Sequence, residues 1–321
     1  MEFTFKNITD FLAAGGIKFS VAGTKPLSDN LNYILASTRN KIECGLYYLT
    51  TESMGNSVTI SNSIIITDQP GQLSSNNLYI IVSNPQLVHY KLALSAEKKI
   101  EPLIHPTAII DAEAQIAASA HIGPFCVIEK CVIGENVALL GHITVNNNCE
   151  IRKNSIIESH SVIGARGMAW VWDDDGKRIM QPQTGGVIIE EDCILGTGIS
   201  IVRGSLNEYT IIGKGTVMAH GTKIGHGCIV GENVHFANNV SLAGNTNIGN
   251  RVFLGSGCVV SSNVKIPEGC IVGAGAVVHK SVEESYCTIA GVPAVIIKRN
   301  NFESKPKGAP KPFHNKNKKN D

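Results

Sequence analysis

Three histidines stand close together in the stretch Ala219-His220-Gly-Thr-Lys-Ile-Gly-His226-Gly-Cys-Ile-Val-Gly-Glu-Asn-Val-His235-Phe. Histidine suits proton transfer near neutral pH, because small changes of environment move its ionisation across that range. His226 lies between Gly225 and Gly227, so backbone and substrate can come close on both sides of it. Eighteen residues on comes Gly244, in Leu242-Ala243-Gly244-Asn245, whose N–H no side chain shields. A base beside an unshielded amide is the pairing that acyl transfer needs: one group takes a proton from the nucleophile and the other holds the oxyanion.

What places residues eighteen apart together is a repeat. Every sixth residue from Ile212 to Val278 is large and apolar, twelve positions in succession. An earlier run at the same step goes from Ile133 to Ile163, preceded by Ile110, Ile116, Ile122 and Ile128. Six steps of 100° overshoot a helical turn by 240°, so no helix keeps such residues on one stripe, whereas a short strand and a turn do. Three units make a triangular coil of eighteen residues, and stacked coils bury one aliphatic core. The expected fold is mainly β: a left-handed parallel β-helix of about eight coils with a small N-terminal α/β domain. Seven cysteines, at 126, 131, 149, 193, 228, 258 and 270, stand two before an inward aliphatic and so point inward as small hydrophobes. None has metal-ligand spacing.

The repeat also sets the domain plan. Residues 1–103 lack it and show helix-like stretches at Asn7–Ala14 and Pro85–Ser95, with Asn84 as a cap, and strand-like runs at 63–67 and 78–82. Residues 104–295 carry the coils, interrupted at 164–187 by a loop that holds both tryptophans, Trp170 and Trp172. A loop leaving a rigid scaffold is expected to wall a site. Residues 296–321 are Lys, Asn and Pro-rich and read as a disordered tail. Eight Lys/Arg from Lys298 onward face only Glu303 and Asp321, so residues 1–297 carry about −5 of the chain's overall +1. This excludes a strongly basic nucleic-acid binder. No apolar run is long enough to span a membrane, the N-terminus has no secretory pattern, and nine cysteines are an odd count for a disulfide framework, so a cytoplasmic protein is expected.

The whole chain resembles the UDP-3-O-acylglucosamine N-acyltransferases of lipid A synthesis, through the strand-Asn-Pro-helix element, Ser161-Val-Ile-Gly-Ala-Arg-Gly, Gln183 to Ile189, Ile201-Val-Arg-Gly-Ser-Leu-Asn-Glu and Ile224-Gly-His226-Gly. The resemblance implies that His226 is the base, that Gly244 supplies the oxyanion amide, and that the protein is a homotrimer. Its uracil-stacking aromatic corresponds to Tyr48, while the neighbouring Asn and Tyr of that family fall near Thr51 and Met54. The family's Asp-Asn before the base is Ala219-His220 here, a further functional His falls near Asn263, and the helical C-terminus is replaced by the basic tail. A second likeness is to acetyl-CoA-dependent N-acetyltransferases of nucleotide-linked amino sugars, carried by His226-Gly-Cys-Ile-Val-Gly-Glu-Asn-Val-His235 and Ile289-Ala-Gly-Val-Pro-Ala294. In that group the second histidine lies by the thioester, which makes His235 the candidate for donor binding.

The expected function is therefore N-acyl transfer, acetyl from acetyl-CoA, to the amine of a nucleotide-linked amino sugar of surface polysaccharide or lipopolysaccharide. The alternative is the lipid A reaction with a 3-hydroxyacyl carrier protein as donor. His220, Tyr48, Trp170 and Trp172 are acceptor-site candidates, no bound cofactor or metal is required, and the site is expected between neighbouring subunits. Two other classes remain open at this level: a zinc site shared across subunits, as in the β-helical carbonic anhydrases, and a non-catalytic trimeric scaffold.

Overall fold

The computed structural model describes residues 1–23, 31–50, 60–69 and 76–299, and residues 300–321, Thr51 and Met54 lie outside them. The disordered tail expected from residue 296 starts too early, because residues 296–299 belong to the strand Ala294–Arg299, whose backbone pairs with Cys287–Gly291. Two compact units emerge, Met1–Lys99 and Ile100 onward.

The first unit is a six-stranded sheet of β1 (Glu2–Thr4), β2 (Ser20–Gly23), β3 (Asn32–Leu35), β4 (Gly45–Leu49), β5 (Ile64–Thr67) and β6 (Leu78–Ile81), in the order β1-β3-β4-β5-β6-β2. Its central strands β3 to β6 run parallel and the two edge strands antiparallel. The apolar run of β5 is buried at all four positions, as a strand covered on both faces requires. Helix α1 (Phe5–Ala14) starts at a Thr4–Asn7 capping box and buries Ile8 and Leu12. Helix α2 (Pro85–Ser95) starts at Asn84, whose Oδ1 accepts from Leu87 N–H at 3.1 Å, and buries Val88 and Leu92 in the same core.

The second unit is the coil. Its three walls hold eleven, nine and eight strands, all parallel except the last of the first wall, Ala294–Arg299, which folds back on Cys287–Gly291. Eight coils thus have all three walls. The walls recur in register every turn: Val217–His235–Phe253–Ile271 in the first, Lys223–Ser241–Val259 in the second, Ile211–Ile229–Asn247 in the third. In each two-residue strand the second member points inward, and the sixth-residue series from Ile212 to Val278 is 0–2% exposed. Burying such a side chain fully stabilises by about 1.5–3 kcal/mol, so continuity of the series matters more than any one member. All seven core cysteines are buried as expected, and Cys287 joins them as an eighth.

Two coils are longer than eighteen residues. Ile156 pairs with Ile194, and Ile194 with Val217, so twenty and five residues are inserted. Both insertions leave between the second and third walls, at one edge of the prism. The longer carries the hairpin Trp170–Trp172/Arg178–Met180.

Candidate functional site

His226 lies at that same second-to-third edge, in the turn after Lys223–Ile224, one coil beyond the shorter insertion and two beyond the longer. Gly244 occupies the equivalent turn of the next coil. A Cβ on Gly244 would lie 2.5 Å from His226 Nε2 and 2.8–2.9 Å from two ring carbons, so the imidazole rests on the Gly244 backbone and only glycine leaves it room. His226 C=O accepts from Asn245 N–H at 2.8 Å, and Gly244 C=O from Asn263 N–H at 3.0 Å. Gly244 N–H donates to no described residue. Of the two nitrogens of the half-buried ring, Nδ1 is enclosed without a partner, which leaves Nε2 as the atom that can meet a substrate. A ring nitrogen and an uncommitted amide are therefore neighbours on the same edge.

The turn carrying His226 is held by a residue that sequence reasoning missed. Thr210, fully buried, donates its hydroxyl to Val202 C=O at 2.6 Å and accepts Gly227 N–H at 3.0 Å. No positional signal in the sequence marks it, since its coil is five residues too long and the hexad breaks around it. The two insertions are laced together: Arg203 Nε donates to Gly164 C=O at 2.9 Å, Ser205 Oγ to Gln181 Oε1 at 2.8 Å, and Thr184 Oγ1 to Leu206 C=O at 2.9 Å. Gln183 is buried at the root and accepts from Gly167 N–H.

Trp170 and Trp172 thus stand on the same edge as His226, on an exposed hairpin where their rings meet edge to face at 4.9 Å. The Arg178 guanidinium lies 4.7 and 5.1 Å from the two ring centroids. Below the loops an open groove of about 520 Å³, lined by Gln115, Lys130, Asn147, Glu150 and Tyr209 among others, runs along the third wall. It lies below the coil of His226 and is not part of the base and amide pair.

The other candidates are not gathered at this edge. His235 faces outward from the first wall, stacked on Phe253 at 5.1 Å and 12°, and burial holds its pKa below the ordinary histidine value. His220 is at the first-to-second edge, where its Nδ1 accepts Thr197 N–H at 3.0 Å. Within one chain, then, His226 shares its edge with neither. The physical reason is the triangular section: six residues advance the chain by one wall and nine by one wall and a half. No group of three metal-ligating side chains forms among the described residues. Tyr48 belongs to the first unit, half-buried on β4 beside His89 at 5.1 Å and Tyr90 at 6.2 Å, and its phenol is pushed up first by burial and then by Tyr90.

Comparison with known proteins converges on this architecture. Residues 245–280 match the bacterial transferase hexapeptide (six repeats) family. A UDP-3-O-acylglucosamine N-acyltransferase from Polynucleobacter asymbioticus is 35% identical over 173 residues, covering 46% of this chain and 48% of that protein. The enzyme of the same description from Coxiella burnetii is 36% identical over 157 residues, 42% of this chain and 46% of its own. The chain therefore spans about half the length of the curated relatives it matches. Among solved structures, UDP-N-acetylglucosamine O-acyltransferase from Moraxella catarrhalis has a TM-score of 0.56 at 30% identity, over 61% of this chain and 74% of that one. The Francisella novicida UDP-N-acetylglucosamine acyltransferase follows at 0.51 and 29%, over 62% and 71%.

Proposed function

We infer that this hexapeptide-repeat protein of left-handed β-helix fold, resembling the UDP-3-O-acylglucosamine N-acyltransferases, is itself an N-acyltransferase acting on a UDP-linked amino sugar. The observation that carries the reading is the His226 ring seated where a Cβ on Gly244 would be, beside an amide N–H that no described residue takes up. In the reaction, Nε2 takes a proton from the attacking amine as nitrogen bonds to the thioester carbonyl carbon. The carbonyl oxygen becomes an oxyanion, and the uncommitted Gly244 N–H holds it. Collapse of the tetrahedral adduct breaks the carbon–sulfur bond, the amide forms, and the imidazolium returns its proton to the departing thiolate.

Of the two reactions expected from the sequence, the relatives' names favour acyl transfer to UDP-3-O-acylglucosamine, the reading that takes a 3-hydroxyacyl carrier protein as donor. The acetyl reading leaned on the spacing of His226 and His235, and in one chain these side chains face different sides of the prism. It stays open only through a second copy bringing its first wall against the catalytic edge. A convex edge also offers no trough for a thioester arm, so a neighbouring subunit is needed to complete the site, and a trimer answers that need. The test is single-turnover transfer to UDP-3-O-acylglucosamine and to UDP-N-acetylglucosamine, with acetyl-CoA and 3-hydroxyacyl carrier protein compared as donors. Amide formation from the carrier protein alone supports the reading; transfer only from acetyl-CoA replaces its donor; no transfer that depends on His226 removes it.

A further inference from the structure

The edge between the first and second walls, away from His226, carries a column of rings. Phe125, His142 and His160 occupy the same left-handed turn position in three successive coils, with φ of 56°, 51° and 64°. Their rings stack at 4.9 Å per step, interplanar angles 27° and 17°, and both histidines are exposed. That step is the coil spacing itself. One face of the topmost ring, His160, is taken by His142. The other looks onto the next two coils, where the same position is Gly198 (φ 71°) and then Gly221 (φ 73°).

These glycines leave a slot. A Cβ on Gly198 would meet nothing within 4 Å, and one on Gly221 would run into the Asn239 carboxamide reaching down from the coil above. The slot is thus floored by an imidazole face, backed by bare backbone and roofed by an amide. Two coils of about 4.8 Å each separate floor and roof by about 9.6 Å, so a flat ring at the level of Gly198 continues the column at the 4.9 Å step of its own rings.

Polar groups flank it, each already oriented. Thr197 N–H donates to His220 Nδ1 at 3.0 Å, so the neutral form of this exposed ring carries its proton on Nε2. Thr197 Oγ1 donates to Glu158 Oε2 at 3.0 Å, which anchors a carboxylate whose remaining lone pairs are available. One donor and one acceptor beside a stacking face match the edge of a heteroaromatic ring bearing an amino group next to a ring nitrogen.

We propose that the His160–Gly198–Gly221 slot binds an adenine-type base, stacked on His160, with its exocyclic amine given to Glu158 and a ring nitrogen accepting from His220. The base can arrive as a free nucleoside or as the adenine end of coenzyme A; the chemistry recognised is the same. The proposal is independent of acyl transfer, and it gives His220 a role that its distance from the catalytic edge denies it there.

The test is calorimetric titration of the full chain with adenosine, coenzyme A and uridine, on the wild type, H160A and G198N. Asparagine is chosen at 198 because this fold already places Asn239 and Asn245 in the same left-handed conformation, so the variant folds while its side chain fills the slot. Unchanged melting temperatures confirm that. Saturable binding of adenosine, at least about fivefold weaker in H160A and lost in G198N, supports the site. Coenzyme A binding more than tenfold tighter than adenosine identifies the coenzyme as the source, and equal binding identifies the free nucleoside. The proposal is overturned if adenosine and coenzyme A fail to saturate at about 10 mM, if either variant binds like wild type, or if uridine binds as well as adenosine.

Discussion

His226 and Gly244 form one unit, since the ring rests where a side chain on residue 244 would be. Removing the base by H226A is expected to lower kcat by about 10²–10⁴ with the melting temperature unchanged, because the ring is half-exposed at a turn. G244A keeps the amide but pushes the ring off its seat. A displacement of about 1 Å costs up to 10²-fold, so kcat for G244A should fall while circular dichroism stays native; wild-type turnover in G244A would remove Gly244 from the site. His235 supplies a pH prediction with a definite sign. Its folded pKa is lowered, so the unfolded chain binds the extra proton first as pH falls. The contribution is intact above the ordinary histidine value of about 6.5 and is lost on acidification below it. Denaturant midpoints at pH 7.5 and 5.5 should therefore lie closer together in H235F than in the wild type.

The coil is the element that sequence reads best. Its period of six survives in plain view because every inward position has the same neighbours and demands the same aliphatic bulk, as the unbroken burial from Ile212 to Val278 shows. Truncating one member, Phe236→Ala, should cost about 3–5 kcal/mol by denaturant titration; a loss under 1 kcal/mol would mean the coils relax around the gap. The helix cap at Asn84 and the pair His226–Gly244 were equally legible, being local or exactly one coil apart in a regular stretch. Thr210 was not, because the hexad breaks around it, and neither was the separation of His226 from His235, which depends on which wall each strand joins. The insertions obey no period at all; their lacing through Arg203, Ser205 and Thr184 is tertiary. The hairpin they carry has Trp170 and Trp172 at 44% and 55% exposure and Val171 and Ile179 at 64% and 45% on its other face. Acrylamide should therefore quench the protein's tryptophan emission readily in the free chain, and a substrate or second subunit that covers the hairpin should reduce that quenching.

At the scale of the molecule, the coil is a stack of nearest neighbours, and stability of such a stack is close to a sum of coil terms and interface terms. Its last strand, Ala294–Arg299, turns back antiparallel on Cys287–Gly291 and so closes one end of the first wall. Arg299 ties that closure to Glu284 through paired bonds of 2.7 and 2.8 Å.

The sulfur atoms of the core give this stack an address system. Eight buried thiols are spread from Cys126 to Cys287 along the coil axis, and burial pushes those of Cys131, Cys258 and Cys287 up to about 12. A thiol so protonated and enclosed ignores an alkylating reagent until its own coil opens. Pulse labelling through a slow unfolding, followed by peptide mass mapping, would accordingly date the opening of the coils that carry a thiol and show from which end the molecule unwinds.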